Sequence, residues 1–251
     1  MNMVRCENLK KCFSNAAGAV KALDGVSLEI ERGEIFGLVG ESGCGKTTLG
    51  KIMLGIMTQD SGQVILNTEK VQVVFQDPYN SLDPKMKIFD ILAEGLIISR
   101  ADGIERQVGE VLDLIRLPKN SLDKYPHQFS GGERQRIAIG RAVITKPEFM
   151  VCDEPVSSLD VTVQFQILNL FKDVQKSLGL TCLFISHDLK VIKFVCDKIA
   201  VMLQGKIVEA GSVRDIYTSG IHPYTKALLK AAFYDNIKND GSEDPHKKYK
   251  K

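Results

Sequence analysis

The 251-residue chain has no tryptophan and only four histidines, and its 33 Lys and Arg nearly cancel its 31 Asp and Glu. A net charge of +2 supplies no field strong enough to gather nucleic acid or an anionic membrane, so nucleic acid is not an expected partner. Long apolar runs are also missing. None approaches the roughly 18 residues that cross a bilayer, and the opening Met-Asn-Met-Val-Arg-Cys-Glu carries charge where a signal peptide needs its apolar core. The expectation is a protein acting in the cytosol or on its face. Cys6, Cys12, Cys44, Cys152, Cys182 and Cys196 form no CxxC pair and no Cys–His cluster, which argues against a zinc site and a disulfide framework. What the chain does have is 44% hydrophobic residues, enough over this length to bury a core without staples.

Short apolar runs alternate with helical patterns and Gly/Pro punctuation, the signature of an α/β domain with a largely parallel sheet. Ile35–Val39, Phe149–Cys152 and Cys182–Ile185 read as buried strands; Val26–Ile30, Gln63–Leu66 and Val71–Phe75 read as further strands. Thr47–Met57 has helical character. So does the middle third from about Ile88 to Leu117, where Val108, Val111, Leu112 and Ile115 share a face. Val163, Ile167, Leu170, Phe171, Val174 and Leu178 mark another amphipathic helix. A helical insertion in the α/β body is thus expected at about 86–145. Residues 235–251 are polar and charged and are expected to be disordered.

Gly40-Glu41-Ser42-Gly43-Cys44-Gly45-Lys46-Thr47, followed by Thr48, fits GxxxxGK[ST] between a buried strand and a helix. Its glycines let backbone N–H groups turn inward around phosphate oxygens, and the helix N-terminus adds partial positive charge. Lys46 is expected at the β- and γ-phosphates and the Thr47 hydroxyl on Mg²⁺. This is a nucleoside-triphosphate site. Asp153, at the end of the strand beginning at Phe149, would hold Mg²⁺ through its water shell, and Glu154 could polarise the attacking water as a general base. Cys44 lies beside Lys46 at a helix N-terminus, two features that favour a thiolate, so a reactive thiol shielded by MgATP is expected there.

Phe129-Ser130-Gly131-Gly132-Glu133-Arg134-Gln135-Arg136 resembles the signature motif of ATP-binding-cassette (ABC) ATPases, and the resemblance spans roughly residues 3–232. It implies a P-loop NTPase of the ABC-ATPase type, with a mainly parallel core sheet, an antiparallel β subdomain and a helical subdomain. Ser130, Gly131, Gly132 and Glu133 would open a helix that serves a nucleotide held by another subunit. By the same resemblance, Gln76 in Val-Val-Phe-Gln-Asp-Pro is similar to the glutamine that touches Mg²⁺ or the attacking water and senses the membrane partner. Ser157-Ser158-Leu159-Asp160 resembles the loop crossing the dimer interface. His187 resembles the histidine that contacts the γ-phosphate, and Phe13 stands where the family stacks an aromatic on adenine.

Gln76–Pro84 and Ile221-His222-Pro223-Tyr224-Thr225-Lys226-Ala227-Leu228-Leu229 resemble the ATPases of dipeptide, oligopeptide and nickel importers. That resemblance implies an ATP- and Mg²⁺-dependent motor at the cytoplasmic face of the membrane. Its partners would be a second, usually different ATPase subunit, two membrane permease subunits and an extracytoplasmic substrate-binding protein. Peptide and nickel (free or chelated) both remain open as cargo. The alternative is a soluble ABC ATPase without a transporter, for instance one assisting cofactor assembly.

Overall fold

A computed structural model describes residues 1–15, 18–77 and 81–238. The core is a six-stranded sheet in the order β5-β6-β7-β3-β8-β9, from β3 (Ile35–Val39), β5 (Val71–Val74), β6 (Phe149–Asp153), β7 (Thr181–Ser186), β8 (Lys198–Leu203) and β9 (Lys206–Ser212). All neighbours run parallel except the edge pair β8–β9. The three runs read as buried strands occupy its centre, because only strands covered on both faces can be apolar throughout. Alternation still sorts their side chains. Cys182 and Phe184 join one core cluster, while Leu183 and Ile185 join the other.

The second cluster lies beneath a three-stranded antiparallel sheet, in the order β2-β1-β4, made by β1 (Asn2–Asn15), β2 (Gly18–Glu31) and β4 (Ser61–Leu66). Val26–Ile30 is thus one end of a much longer strand. Its first four residues, 18–21, are exposed on both faces and lack the apolar alternation that marks the inner half. The first cluster is covered by helices α5 (Val161–Leu178) and α6 (Leu189–Val195), whereas α1 (Lys46–Met53) packs into the second, on the β-subdomain side.

The helical insertion consists of α2 (Ile88–Ile98), α3 (Ile104–Leu114) and α4 (Gly131–Val143). The continuous helical stretch expected from Ile88 to Leu117 is therefore two helices. Arg100 and Gly103 both take positive φ between them, which an uninterrupted helix cannot accommodate. An Arg141–Glu94 ion pair at 3.0 Å ties α4 to α2. Helices α7 (Val213–Ser219) and α8 (Pro223–Lys238) follow β9 and are additional to the elements expected from the sequence. Helix α8 continues to Lys238, past the expected start of the tail at Asp235, since extending a formed helix costs little per residue. Residues 239–251 of that tail lie outside the described residues. Among the described residues no helix is long and apolar enough to cross a membrane.

Candidate functional site

The phosphate loop connects β3 to α1 at the carboxyl edge of the sheet, where α/β proteins place ligands. Its backbone demands glycine at two places. Gly40 (φ 156°) and Gly45 (φ 110°) would each carry a Cβ only 2.1 Å from a carbonyl oxygen, of Met202 and Ala22 respectively. Strands β8 and β2 therefore back the loop and fix its curvature. The β8–β9 turn adds a brace, with Gly205 N–H donating to Cys44 O at 3.0 Å. Lys46 is buried, and its Nζ donates to Gly40 O at 2.7 Å and Glu41 O at 2.9 Å. The ammonium thus spans the mouth of the loop.

Parallel register brings the remaining groups to the same edge. Asp153 pairs with Ile185 and Val39 with Ser186, so Glu154, His187 and Gly40 leave three adjacent strands together. Glu154 Oε2 lies 3.0 Å from His187 Nδ1, leaving Nε2 as the ring's other polar atom. Glu154 takes a positive φ of 49°, held by its N–H to Ile185 O at 3.0 Å and by Ser157 Oγ donating to its carbonyl at 3.1 Å. A cavity of about 420 Å³ is lined by Val39, Gly40, Glu41, Ser42, Glu154, His187, Leu189 and Leu228. Val74 pairs with Cys152, so Gln76, two residues past β5, is level in register with Glu154, one residue past β6, and it is exposed.

The Thr47 side chain is hydrogen-bonded to Asp153, and burial pushes that carboxyl above its ordinary value, with the Glu154 charge adding to the effect. A hydroxyl and a half-buried carboxylate short of compensating charge are the oxygen donors that a hard divalent cation takes. These residues fit Mg²⁺.

Ser130 caps α4 in a reciprocal box: Glu133 Oε2 accepts from Ser130 N at 2.9 Å and from Ser130 Oγ at 2.8 Å. Those bonds hold the Glu133 carboxyl below its ordinary value. Ser130, Gly132 and Glu133 line a different cavity of about 290 Å³, together with Arg136, Val163 and Gln166. The signature helix and the phosphate loop of one chain are therefore not brought together. Phe13, on β1, is 41% exposed with Lys11 Nζ 5.8 Å from its ring centre. It does not line the cavity that holds Glu154 and His187. Asp160, of the expected interface loop, caps α5 by accepting from Val163 N at 3.0 Å.

Two findings depart from the sequence expectations. The Cys44 side chain is buried in the core under the β subdomain, while its carbonyl serves the β8–β9 turn. Burial pushes this thiol up and outweighs Lys46, whose Nζ is 3.9 Å from Sγ, so the surroundings disfavour the expected thiolate. Cys6 is likewise pushed up, to about 12. Cys12 is the exposed cysteine. Brief maleimide treatment followed by peptide mass spectrometry should label Cys12 first, and Cys12→Ser should remove that fast phase. Rapid labelling of Cys44 that MgATP suppresses would reverse this assignment. The second finding is Tyr224, whose hydroxyl accepts from Glu41 N at 3.1 Å. In the sequence the segment around it is only a mark of subfamily, because nothing in a linear pattern ties residue 224 to residue 41.

Residues 23–157 match the family described as ABC transporter. The oligopeptide transport ATP-binding protein OppF of Bacillus subtilis is 44% identical over 249 residues, covering 91% of this chain and 82% of that protein. OppF of Streptococcus mutans is 45% identical over 250 residues, covering 91% and 81%. Among solved structures, cbiO1 from Clostridium perfringens, part of the ABC transporter complex cbiONQ, aligns with a TM-score of 0.79 at 25% identity over 95% of this chain and 99% of that one. A dimeric cassette in a post-hydrolysis state, bound to ADP and Pi, aligns with a TM-score of 0.74 at 26% identity over 84% and 99%. With the phosphate loop, the acid-ended strand and the signature helix each in place, the chain belongs to the ABC transporter family.

Proposed function

We propose that this chain is the ATP-hydrolysing motor subunit of an ABC importer and that its cargo is peptide. The Glu154–His187 pair beside Gly40–Ser42 carries the motor reading, since it sets a base and an imidazole against a phosphate cradle. The peptide cargo follows the names of the OppF relatives. The N–H groups of the Gly43–Thr48 turn cradle the α- and β-phosphates, and Lys46 exchanges its two carbonyl partners for β- and γ-phosphate oxygens. Phe13 stacks on adenine. Thr47, Asp153 and Gln76 would hold Mg²⁺, which would supply charge compensation to the triphosphate. Glu154 takes a proton from a water in line with the γ-phosphorus. As the new O–P bond forms, the bond to the β–γ bridging oxygen breaks and ADP departs. His187 contacts the γ-phosphate, and Glu154 holds the orientation of its ring.

One chain presents its phosphate loop and its Ser130–Glu133 helix at separate cavities, so a complete site needs a second ATPase subunit. A groove of about 520 Å³ lined by Phe75, Glu94, Ile98 and Arg141, with Ile98 78% exposed, suits a cytoplasmic helix of a membrane permease. The subunit then sits peripherally on the cytoplasmic face, under two permeases supplied by an extracytoplasmic binding protein.

Ser130→Arg tests the reading in the assembled transporter. It puts a bulky cation where the facing nucleotide's γ-phosphate should rest and loses a cap worth about 1 kcal/mol, too little to unfold the chain. ATP affinity of the variant's own phosphate loop should stay within about twofold, while hydrolysis and peptide uptake fall about a hundredfold. Loss of ATP binding in a folded variant would refute the trans role.

A further inference from the structure

One wall of the nucleotide cavity comes from the end of the chain. Leu228 of α8 lines it together with Val39 and Leu189, and four residues earlier Tyr224 accepts the Glu41 N–H. The start of α8 is itself pinned. Glu209 of β9 accepts from Ile221 N at 2.6 Å and from His222 N at 3.1 Å, and His222 Nδ1 accepts from Tyr224 N at 3.2 Å. On the preceding helix, Tyr217 donates its hydroxyl to Leu189 O, two residues beyond His187. Its ring meets Phe233 of α8 edge-on at 6.0 Å, and Lys193 of α6 lies against both rings. One packed unit thus grips the phosphate loop with one tyrosine and the first residue of α6, just past His187, with the other.

We propose that Tyr217 and Tyr224 are positioning residues for ATP hydrolysis: together they set the spacing between the phosphate loop and His187 across the cavity. The proposal rests on the ATPase reading above. Each hydroxyl bonds a backbone group rather than a reacting atom, so neither is catalytic in itself. Both contacts fall on the γ-phosphate side of the site. The Glu41 N–H lies between Gly40, whose carbonyl holds Lys46, and Ser42, which lines the cavity. The Leu189 carbonyl anchors the first turn after His187. The Gly43–Thr48 turn is untouched, so the binding of a diphosphate should not depend on either hydroxyl. A displacement of about 1 Å at such groups can cost up to about a hundredfold in rate without changing the fold.

Tyr217→Phe and Tyr224→Phe keep both rings and their packing and remove only the hydroxyls. In the full chain, each variant should keep its melting temperature and bind the fluorescent nucleotide mant-ADP within about twofold of the parent, while in the assembled transporter, with the second ATPase subunit present, kcat for MgATP falls about tenfold. On a His187→Ala background, Tyr217→Phe should cause no further loss, because the group it positions is gone. Parental kcat in both variants overturns the proposal. So does a joint fall in melting temperature and mant-ADP affinity, which marks a purely structural role, and so does an undiminished effect of Tyr217→Phe on His187→Ala. A parent chain that does not bind mant-ADP, together with a parent transporter that does not hydrolyse ATP, would instead overturn the ATPase reading.

Discussion

Glu154→Gln is expected to keep MgATP bound and to lower steady-state hydrolysis by about a hundredfold or more, the range a positioned general base contributes. The substitution isolates basicity. Backbone bonds, not the carboxylate, hold residue 154 in its positive-φ conformation: its N–H to Ile185 O at 3.0 Å and its carbonyl accepting from Ser157 Oγ at 3.1 Å. An amide fills the same volume and can still bond His187 Nδ1, which the carboxylate meets at 3.0 Å. Binding should therefore survive while proton transfer from water fails. The nucleotide-sandwiched dimer should then accumulate, visible by size-exclusion chromatography in MgATP. Hydrolysis near the parental rate would remove Glu154 from the role of base.

Lys46→Ala should act on the other side of the cycle, lowering ATP affinity by about a hundredfold. Two charge-assisted hydrogen bonds to phosphate, each worth about 1.5–3 kcal/mol, are more than enough for that loss. Without nucleotide the same ammonium bridges Gly40 O and Glu41 O at 2.7 and 2.9 Å, so its removal also loosens the loop. Titration with mant-ATP, alongside a melting curve showing that the fold persists, reads the effect. Lys46→Arg should not rescue it, because a planar, longer guanidinium does not fit a space that leaves Lys46 only 5% exposed. Unchanged ATP affinity in Lys46→Ala would count against the phosphate-loop assignment.

Glycine spacing and apolar runs made the phosphate loop, the acid-ended strand and the central sheet legible before any coordinates. The mechanism for each is local: a strand buried on both faces must be apolar throughout, and a loop threaded between Met202 O and Ala22 O must use glycine. The antiparallel subdomain was half visible, since the outer part of the β1–β2 hairpin is exposed on both faces and carries no alternation. Cys44 shows where local inference misleads. Its neighbours along the chain promise a reactive thiolate, yet its side chain turns into the core and desolvation outweighs the nearby ammonium. What the chain determined by itself is the class of chemistry, because triphosphate binding is written in consecutive residues. What the tertiary structure alone decided is the placement of distant parts: that Ser130 faces a cavity apart from Lys46, that Tyr224 reaches the phosphate loop, and that Tyr217 reaches the start of α6 beside His187. Sheet order and helix packing set those distances, and they depend on burial summed over the whole core, which no short stretch of sequence contains.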